Sequence, residues 1–189
     1  AIGAPYNDGN GENSGHVRIF KKTPHHMMGV YRWLQIGSDI DGEAVDNRSG
    51  TSVSLSSDGS VVAIGAPRND ENGQHSGHIR VYQNIGNDWT QIGSDIDGEA
   101  VMNYSGSSVS LSSDGSIVAI GAPQNHDNGQ NSGHVRVYSS DFNSLQPSII
   151  GTVNDDLDSD LVSDLVSGSE LKMKVGEMDV LTGIKDYDG

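Results

Sequence analysis

Three copies of one sequence pattern account for most of this chain of 189 residues. A stretch that begins Ala-Ile-Gly-Ala-Pro starts at Ala1, Ala63 and Ala119, and the last two copies lie 56 residues apart (63 to 119). A longer block that begins at Trp33 recurs at Trp89 with the same spacing (33 to 89). A fixed period of this length indicates a supersecondary unit that stacks on copies of itself, because one such unit cannot bury its apolar face alone.

The first spacing is longer, 62 residues (1 to 63), because the connector Lys21–Tyr31 carries an insertion. The insertion includes His25, His26, Met27 and Met28. An insertion confined to one connector predicts a loop, and the two histidines are then a surface feature of that loop.

Each unit contains four candidate strands. Ser52–Ser56 alternates apolar and polar residues, which is typical of a half-buried strand, and Asp58-Gly59 predicts a tight hairpin turn. Val61–Ile64 is continuously apolar, as expected for a strand that is buried on both faces. Two further strands are predicted at 77–82 and 88–93. The repeat has no helical period and the chain has 25 glycines, so an all-β fold with the content of β-propeller blades is predicted.

Three motifs carry a family resemblance: Ser-Gly-x-Ser-Val at 49–53 and 105–109, Val-Ala-Ile-Gly-Ala-Pro at 62–67 and 118–123, and the following Gly-His-x-Arg segments. Together they resemble the FG-GAP repeat of integrin α-chain β-propellers and of their microbial and algal relatives, over roughly residues 1–140. Ser49 and Ser105 stand where the family usually has Phe. A short Ser-Ser-Asp-Gly turn replaces the Asp-rich calcium loop of the family, so the resemblance implies no such calcium cage here.

The resemblance implies β-propeller-type, four-stranded antiparallel blades in an incomplete ring of about two and a half blades. The repeat segment is predicted at 1–140, with a partial blade at 1–37, a full blade at 50–93 and a partial blade at 106–139. Residues 141–189 are predicted to be a divergent acidic tail or a linker to a further domain, with a short amphipathic helix at 155–166. Because the chain opens inside a repeat, we expect the natural N-terminus and its targeting signal to lie outside this sequence.

The predicted order of strands places two polar loops of each unit at the same edge, Pro67–Ser76 and Gly93–Gly106 in the second copy. In the resembling proteins this rim is where protein ligands dock. The predicted binding residues of the first loop set are Asp8, Asn10, Asp70, Asn72, Asp127 and Asn128.

The second loop set contains Asp-Ile-Asp-Gly-Glu twice. Carboxylates that alternate around a glycine turn can converge on Ca²⁺, which makes this set a candidate calcium site. The spacing supplies few ligands, however, and solvated turn carboxylates that accept hydrogen bonds from neighbouring amides are the favoured alternative. The candidates are Asp39, Asp41, Glu43, Asp95, Asp97 and Glu99.

Other polar positions also recur in the copies. Imidazoles at one repeated position could hold a metal ion, but an arginine two residues later in each copy disfavours a cation, and we interpret these residues as a structural ladder that bonds to loop carbonyls or aspartates. The ladder comprises His16, His78, His134, Arg18, Arg80 and Arg136. Trp33 and Trp89 are predicted to be packing anchors in the core.

Asn47 and Asn103 begin Asn-x-Ser sequons at equivalent positions, and both are predicted sites of N-glycosylation in a eukaryotic secreted protein.

The composition excludes several function classes. A formal charge of −15 repels nucleic acids and anionic lipids, and no apolar run approaches the roughly 20 residues of a membrane span. The chain has no cysteine, which excludes disulfides and thiol catalysis. Candidate catalytic residues recur in every copy, whereas catalytic sites are normally single, so no enzyme is predicted.

The leading hypothesis is a recognition or adhesion module, extracellular or at the cell surface, that binds a protein or glycan ligand through the acidic loops. The alternative is a structural protein whose copies assemble into a filament, sheath or matrix through exposed strand edges. A hydrolase on the same scaffold is the third candidate. Calcium is the one candidate cofactor.

Overall fold

The computed structural model describes residues 1–25, 29–139 and 148–153. Across these ranges the chain forms short antiparallel strands joined by turns and contains no helix, which confirms the all-β prediction. In the described part of the chain, no helix therefore has the length and hydropathy needed to cross a membrane. The strands form several small sheets, none of which closes on itself within these ranges.

The first repeat forms a three-stranded sheet and a hairpin. The sheet has the order β1-β2-β5, from β1 (Ile2–Ala4), β2 (His16–Arg18) and β5 (Ile40–Asp41). The hairpin joins β3 (Phe20–His25) to β4 (Val30–Gln35).

The hairpin corrects the prediction of a loop at Lys21–Tyr31. The insertion extends two paired strands, from Phe20 opposite Gln35 to His25 opposite Val30, because residues such as Tyr31 have high strand propensity. His26, Met27 and Met28 of the insertion lie outside the described residues.

The second repeat forms a complete meander. Its strands are β6 (Ser52–Leu55), β7 (Val61–Ala66), β8 (His78–Ile85) and β9 (Asp88–Gln91), each paired with its neighbour in the chain. The short β10 (Ile96–Asp97) pairs with the start of β8, on the same edge as β9.

The third repeat forms a four-stranded sheet in the same order. It consists of β11 (Ser108–Leu111), β12 (Ile117–Ala122), β13 (His134–Ser139) and β14 (Ser148–Val153). The fourth strand comes from the stretch assigned above to the tail, and it pairs along β13. The rest of that tail, with its candidate helix, lies outside the described residues.

Strand β7 is buried on both faces, as its continuous apolar run predicts. Val61 and Ala63 belong to a cluster that includes Leu111 and Val118 of the third sheet. Val62 and Ile64 point the other way, into a cluster with Val17 of the first sheet and other residues. Alternate side chains of one strand therefore join three successive repeats.

Serines tie the inner strands of neighbouring repeats together. Ser54 Oγ accepts a hydrogen bond from the backbone N of Leu111 at 3.0 Å. Ser57 donates both its backbone N and its hydroxyl to the carbonyl oxygen of Ser113, its equivalent one period later, at 2.9 Å each. The repeated Ser-Leu-Ser-Ser sequence thus supplies the polar side of the contact between sheets.

The hairpin turns between the first two strands are closed by aspartate. Asp58 Oδ1 accepts hydrogen bonds from Ser60 N at 2.9 Å, Ser60 Oγ at 2.8 Å and Ser56 Oγ at 2.7 Å. The bond from the Ser60 backbone is the largest cause that lowers the pKa of Asp58 to about 2. Asp114 makes the same contacts, and the hydroxyl of Ser112 is the largest cause that lowers its pKa to about 2.

These two turns predict a specific loss of stability in acid. Both folded pKa values lie below the unfolded value of about 3.9, so the contribution is complete above about pH 5 and is lost as pH falls towards about 2. The double variant Asp58→Asn/Asp114→Asn keeps the acceptor oxygens without the titration, and we expect its unfolding free energy to fall less steeply between pH 4 and 2. Urea denaturation over that range measures both slopes, and equal slopes would contradict the assignment.

Candidate functional site

The two loops predicted to share an edge are joined by backbone hydrogen bonds. In the second repeat, the loop after β7 (residues 67–77) and the loop after β9 (residues 92–107) form what we call the paired loops; residues 5–15 and 36–51 are their equivalents in the first repeat. Four bonds between the second pair run from Gly98 N to Gly77 O (2.7 Å), Met102 N to Gln74 O (2.8 Å), Tyr104 N to His75 O (3.0 Å) and Ser105 N to Ser76 O (2.9 Å). Four equivalent bonds join the first pair. The loops are therefore held in place by their backbones.

The asparagines and aspartates predicted to bind ligands also brace these loops. The side-chain amide of Asn10 donates to the carbonyl of Gly42 at 2.8 Å, and Asn72 donates to Gly98 at the same distance. Such bonds fix one loop of each pair to the other.

The aspartates act within the first loop of each pair. Asp8 Oδ1 accepts from Asn13 N at 2.8 Å, and Asp70 Oδ1 accepts from His75 N at 2.7 Å. In the third repeat, Asp127 instead bonds to Asn125 through its backbone and its carboxylate, and Asn128 is exposed.

The repeated histidine of the second copy lies among carboxylates. His78 is buried, and its Nδ1 lies 3.3 Å from Asp95 Oδ2 and 3.9 Å from Glu43 Oε2. Burial lowers the pKa of His78 to about 4, so the ring is neutral at pH 7. Partial burial also raises the pKa of Glu43.

The repeated arginine connects successive copies. Arg80 Nη1 lies 3.2 Å from Glu43 Oε1, and its Nη2 donates to the carbonyl oxygen of Asp41 at 2.7 Å. Arg136 makes the equivalent ion pair with Glu99, one period later. Arg18 instead pairs with Asp39 of its own repeat at 2.7 Å, and this hydrogen bond lowers the pKa of Asp39.

The six candidate calcium ligands are divided among separate groups. Asp39 and Asp41 lie with His16, Glu43 and Asp95 lie with His78, and Glu99 lies with His134. Asp97 pairs through its backbone with His78 at the β8–β10 ladder. Each group thus combines carboxylates with one imidazole, an association that spacing within one repeat did not suggest.

The two tryptophans differ in burial. Trp89 is half-buried against the core, and its Nε1 donates to the carbonyl oxygen of Ile36 in the preceding repeat at 2.9 Å. Trp33 is 67% exposed, so its prediction as a core anchor is wrong. The reason is that a tryptophan at this position packs on the preceding repeat, and no described residue fills that place beside Trp33.

The sequon asparagines require a second correction. Asn47 and Asn103 are only 4% and 2% exposed, and Asn47 Oδ1 accepts a hydrogen bond from Ala44 N at 3.0 Å. A glycan cannot be accommodated on either side chain in this fold, so the glycosylation prediction is wrong for the folded chain.

The paired loops also carry exposed apolar residues that were not predicted from the sequence. Val45 and Val101 occupy equivalent positions and are 62% and 53% exposed. Tyr6, on the first pair of loops, is also exposed, with the Arg48 guanidinium 4.9 Å from its ring centroid. An apolar residue that recurs within an acidic loop was the signal that could have identified this surface.

Residues 94–138 match the family model described as the FG-GAP repeat. This segment is an FG-GAP repeat. The match confirms the resemblance for a stretch that runs from the loop before β10 to the end of β13, and the equivalent stretch one period earlier is 38–82. No curated protein matches the chain in sequence.

Solved structures resemble the chain in fold only distantly. One of them, a Bacteroides uniformis protein described as a candidate 6-phosphogluconolactonase, has a TM-score of 0.45 and 14% sequence identity over 72% of this chain. The chain spans about a third of that protein, 35% of its length.

The backbone contact within the paired loops predicts a steric test. A methyl group on Gly98 would lie 2.0 Å from the carbonyl oxygen of Ser76, so Gly98→Ala must push the two loops apart and should destabilise the fold by about 1–3 kcal/mol. The matched control is Gly9→Ala, because the nearest atom there is the side-chain Oδ1 of Asn7 at 2.8 Å, which can rotate away. Denaturant unfolding should show a loss under about 1 kcal/mol for the control. Equal losses of unfolding free energy in Gly98→Ala and Gly9→Ala would show that the close contact between Gly98 and Ser76 does not determine stability.

Proposed function

We propose that the chain is a non-enzymatic recognition module of β-propeller-type blades, outside the cell or at its surface, that binds a protein or glycan ligand through its paired loops. FG-GAP repeats typically occur in extracellular and cell-surface proteins, and residues 94–138 are such a repeat. The four-stranded meanders support the propeller architecture, because the second sheet packs through one face on the first sheet and through the other on the third, as radial repetition of blades requires.

The observation that carries the proposal is the rigid, repeated presentation of exposed side chains. Backbone hydrogen bonds fix the paired loops before any ligand arrives, so binding would cost little loop-ordering entropy. Val45 and Val101 then offer apolar contact area, and Tyr6 adds an aromatic ring of the kind enriched at binding hot spots.

Charge indicates the chemistry of the ligand. Carboxylates lie near the exposed valines in the sequence, Glu43 and Asp46 near Val45 and Glu99 near Val101, and the whole chain has a formal charge of −15. A field of this sign attracts basic partners and accelerates their encounter. A protein ligand with basic residues around an apolar contact is therefore favoured over an acidic glycan.

Self-assembly is the second candidate function, and the hairpin of the first repeat favours it. Strand β4 is exposed along its whole length and presents Val30, Tyr31, Trp33 and Leu34. Exposed apolar strands of this kind are sites of association between chains.

The variant Trp33→Ser tests this second function. We expect it to dissociate any oligomer that sedimentation equilibrium detects in the parent chain, because it removes the largest exposed apolar side chain of β4. A monodisperse monomer at all concentrations would eliminate this function.

A paired set of neutral polar substitutions tests the recognition function. The full chain is screened against a glycan array and a phage-displayed peptide library, and each hit is remeasured with Val45→Ser/Val101→Ser and with Ile85→Ser. Ile85 is as exposed as the two valines but lies at the opposite end of its sheet, so it is the matched control. Loss of the apolar contact should weaken binding at least about tenfold in the double variant and leave the control unchanged.

The thermal unfolding midpoint should be the same in both variants, since these are surface positions. A double variant that binds as tightly as the parent chain would show that the paired loops are not the binding surface.

A further inference from the structure

Four side chains from two successive repeats converge on one point at the edge of the second sheet. Glu43 comes from the loop that precedes β6, while Glu71, His78 and Asp95 belong to the second repeat. Each offers one nitrogen or oxygen atom, and the four atoms lie within 4.8 Å of one another. Donors of one tetrahedral ion lie about 3.3–3.6 Å apart, because each is about 2.0–2.2 Å from the metal. The 3.3 Å between His78 Nδ1 and Asp95 Oδ2 matches this separation, and the 3.9 Å between His78 Nδ1 and Glu43 Oε2 requires only a small closure.

The imidazole in this group lacks a hydrogen bond. His78 is 1% exposed, and its Nδ1 has no hydrogen-bond partner although it faces Asp95 Oδ2 at 3.3 Å. Buried polar atoms are almost always satisfied, so an unsatisfied nitrogen that points into a group of carboxylates needs an explanation. A cation between the nitrogen and the carboxylates would provide one.

Two of the carboxylates, Asp95 and Glu43, are held in place by neighbouring polar side chains. Gln91 Nε2 donates to Asp95 Oδ1 at 2.6 Å, which leaves Oδ2 directed at the imidazole. Arg80 Nη1 contacts Glu43 Oε1 at 3.2 Å, which likewise leaves Oε2 directed at the imidazole. In metal sites, a second layer of hydrogen-bond donors typically holds one oxygen of a carboxylate and leaves the other available for the metal. Arg80 contacts the Glu43 oxygen that does not face His78, so its presence near the histidine does not argue against a cation.

The three copies provide an internal comparison. The third repeat gathers Glu99, Asp127 and His134 at the positions equivalent to Glu43, Glu71 and His78.

The first repeat gathers a different set, His16, Asp39 and Asp41, because Gly9 stands at the position of Glu71, and Arg18 forms an ion pair with Asp39. The second and third copies therefore share a set that includes a glutamate of the preceding repeat, whereas the first groups its histidine with aspartates of its own repeat.

We propose that Glu43, Glu71, His78 and Asp95 form a site for a divalent transition-metal ion, with Zn²⁺ as the best match, which links two successive repeats. One imidazole with three carboxylates suits Zn²⁺, whereas Ca²⁺ takes oxygen ligands only. Glu43 and Glu71 are exposed, so an ion can enter from solvent. Glu99, Asp127 and His134 form a second site with three protein ligands.

Zinc titration of the full chain after treatment with a chelator tests the site. The decisive variant is Glu71→Gln, because Glu71 is exposed and its replacement should leave the fold intact. The matched control is Glu12→Gln, which removes an exposed carboxylate from the corresponding loop of the first repeat. Calorimetry should show that Glu71→Gln weakens the tightest Zn²⁺ binding at least about tenfold, while Glu12→Gln leaves it unchanged.

Thermal unfolding provides an independent readout. Since only the folded chain brings the repeats together, Zn²⁺ should raise the unfolding midpoint of the parent chain and of Glu12→Gln, and raise it less in Glu71→Gln. The proposal is overturned if the parent chain binds no Zn²⁺ at micromolar concentrations, or if Glu71→Gln binds as tightly as the parent. It is also overturned if the tightest binding is lost on His25→Gln instead, which would place the ion at the hairpin.

Discussion

The structure depends on the burial of β7 between two sheets. One strand places Val61 and Ala63 in the cluster shared with the third sheet, and Val62 and Ile64 in the cluster shared with the first. At about 25 cal/mol per Å² of apolar surface, neither face can be left in water without a large loss of stability. No repeat is then a folding unit by itself, and every surface of the molecule is defined relative to its neighbouring copies.

The parts of the fold that local sequence determines were predictable. Alternation placed the first strand at 52–56, where β6 occupies Ser52–Leu55, and the apolar run marked the doubly buried β7. The Asp58-Gly59 turn followed from the backbone freedom of glycine, and Gly59 has φ +72°. These features depend on residues a few positions apart, so one copy of the repeat contains the information.

Several errors concern contacts that lie outside the local sequence, either with a neighbouring repeat or with other parts of the same repeat. Trp33 and Trp89 have the same local sequence position, but only Trp89 has a preceding Ile36 carbonyl to bond to. The sequon asparagines resemble surface loop residues in the sequence, but the fold buries both of them. The association of Glu43 with His78 crosses 35 positions (43 to 78) and two repeats, and no periodicity within one repeat predicts it.

The backbone hydrogen bonds of the paired loops give both pairs the same shape, although their sequences differ. The position of Asp46 in the first repeat is Met102 in the second, and that of Arg48 is Tyr104, yet all four residues adopt left-handed backbone angles between +51° and +63°. Such angles cost about 1–3 kcal/mol for residues other than glycine, and they persist because the loop-to-loop hydrogen bonds require them whatever the side chain.

Side chains as different as a carboxylate and a thioether can therefore be exchanged at a fixed position in space. A surface whose geometry is set by the backbone and whose chemistry varies from copy to copy is well suited to recognition, because each repeat can contact a different feature of one ligand without changing the fold.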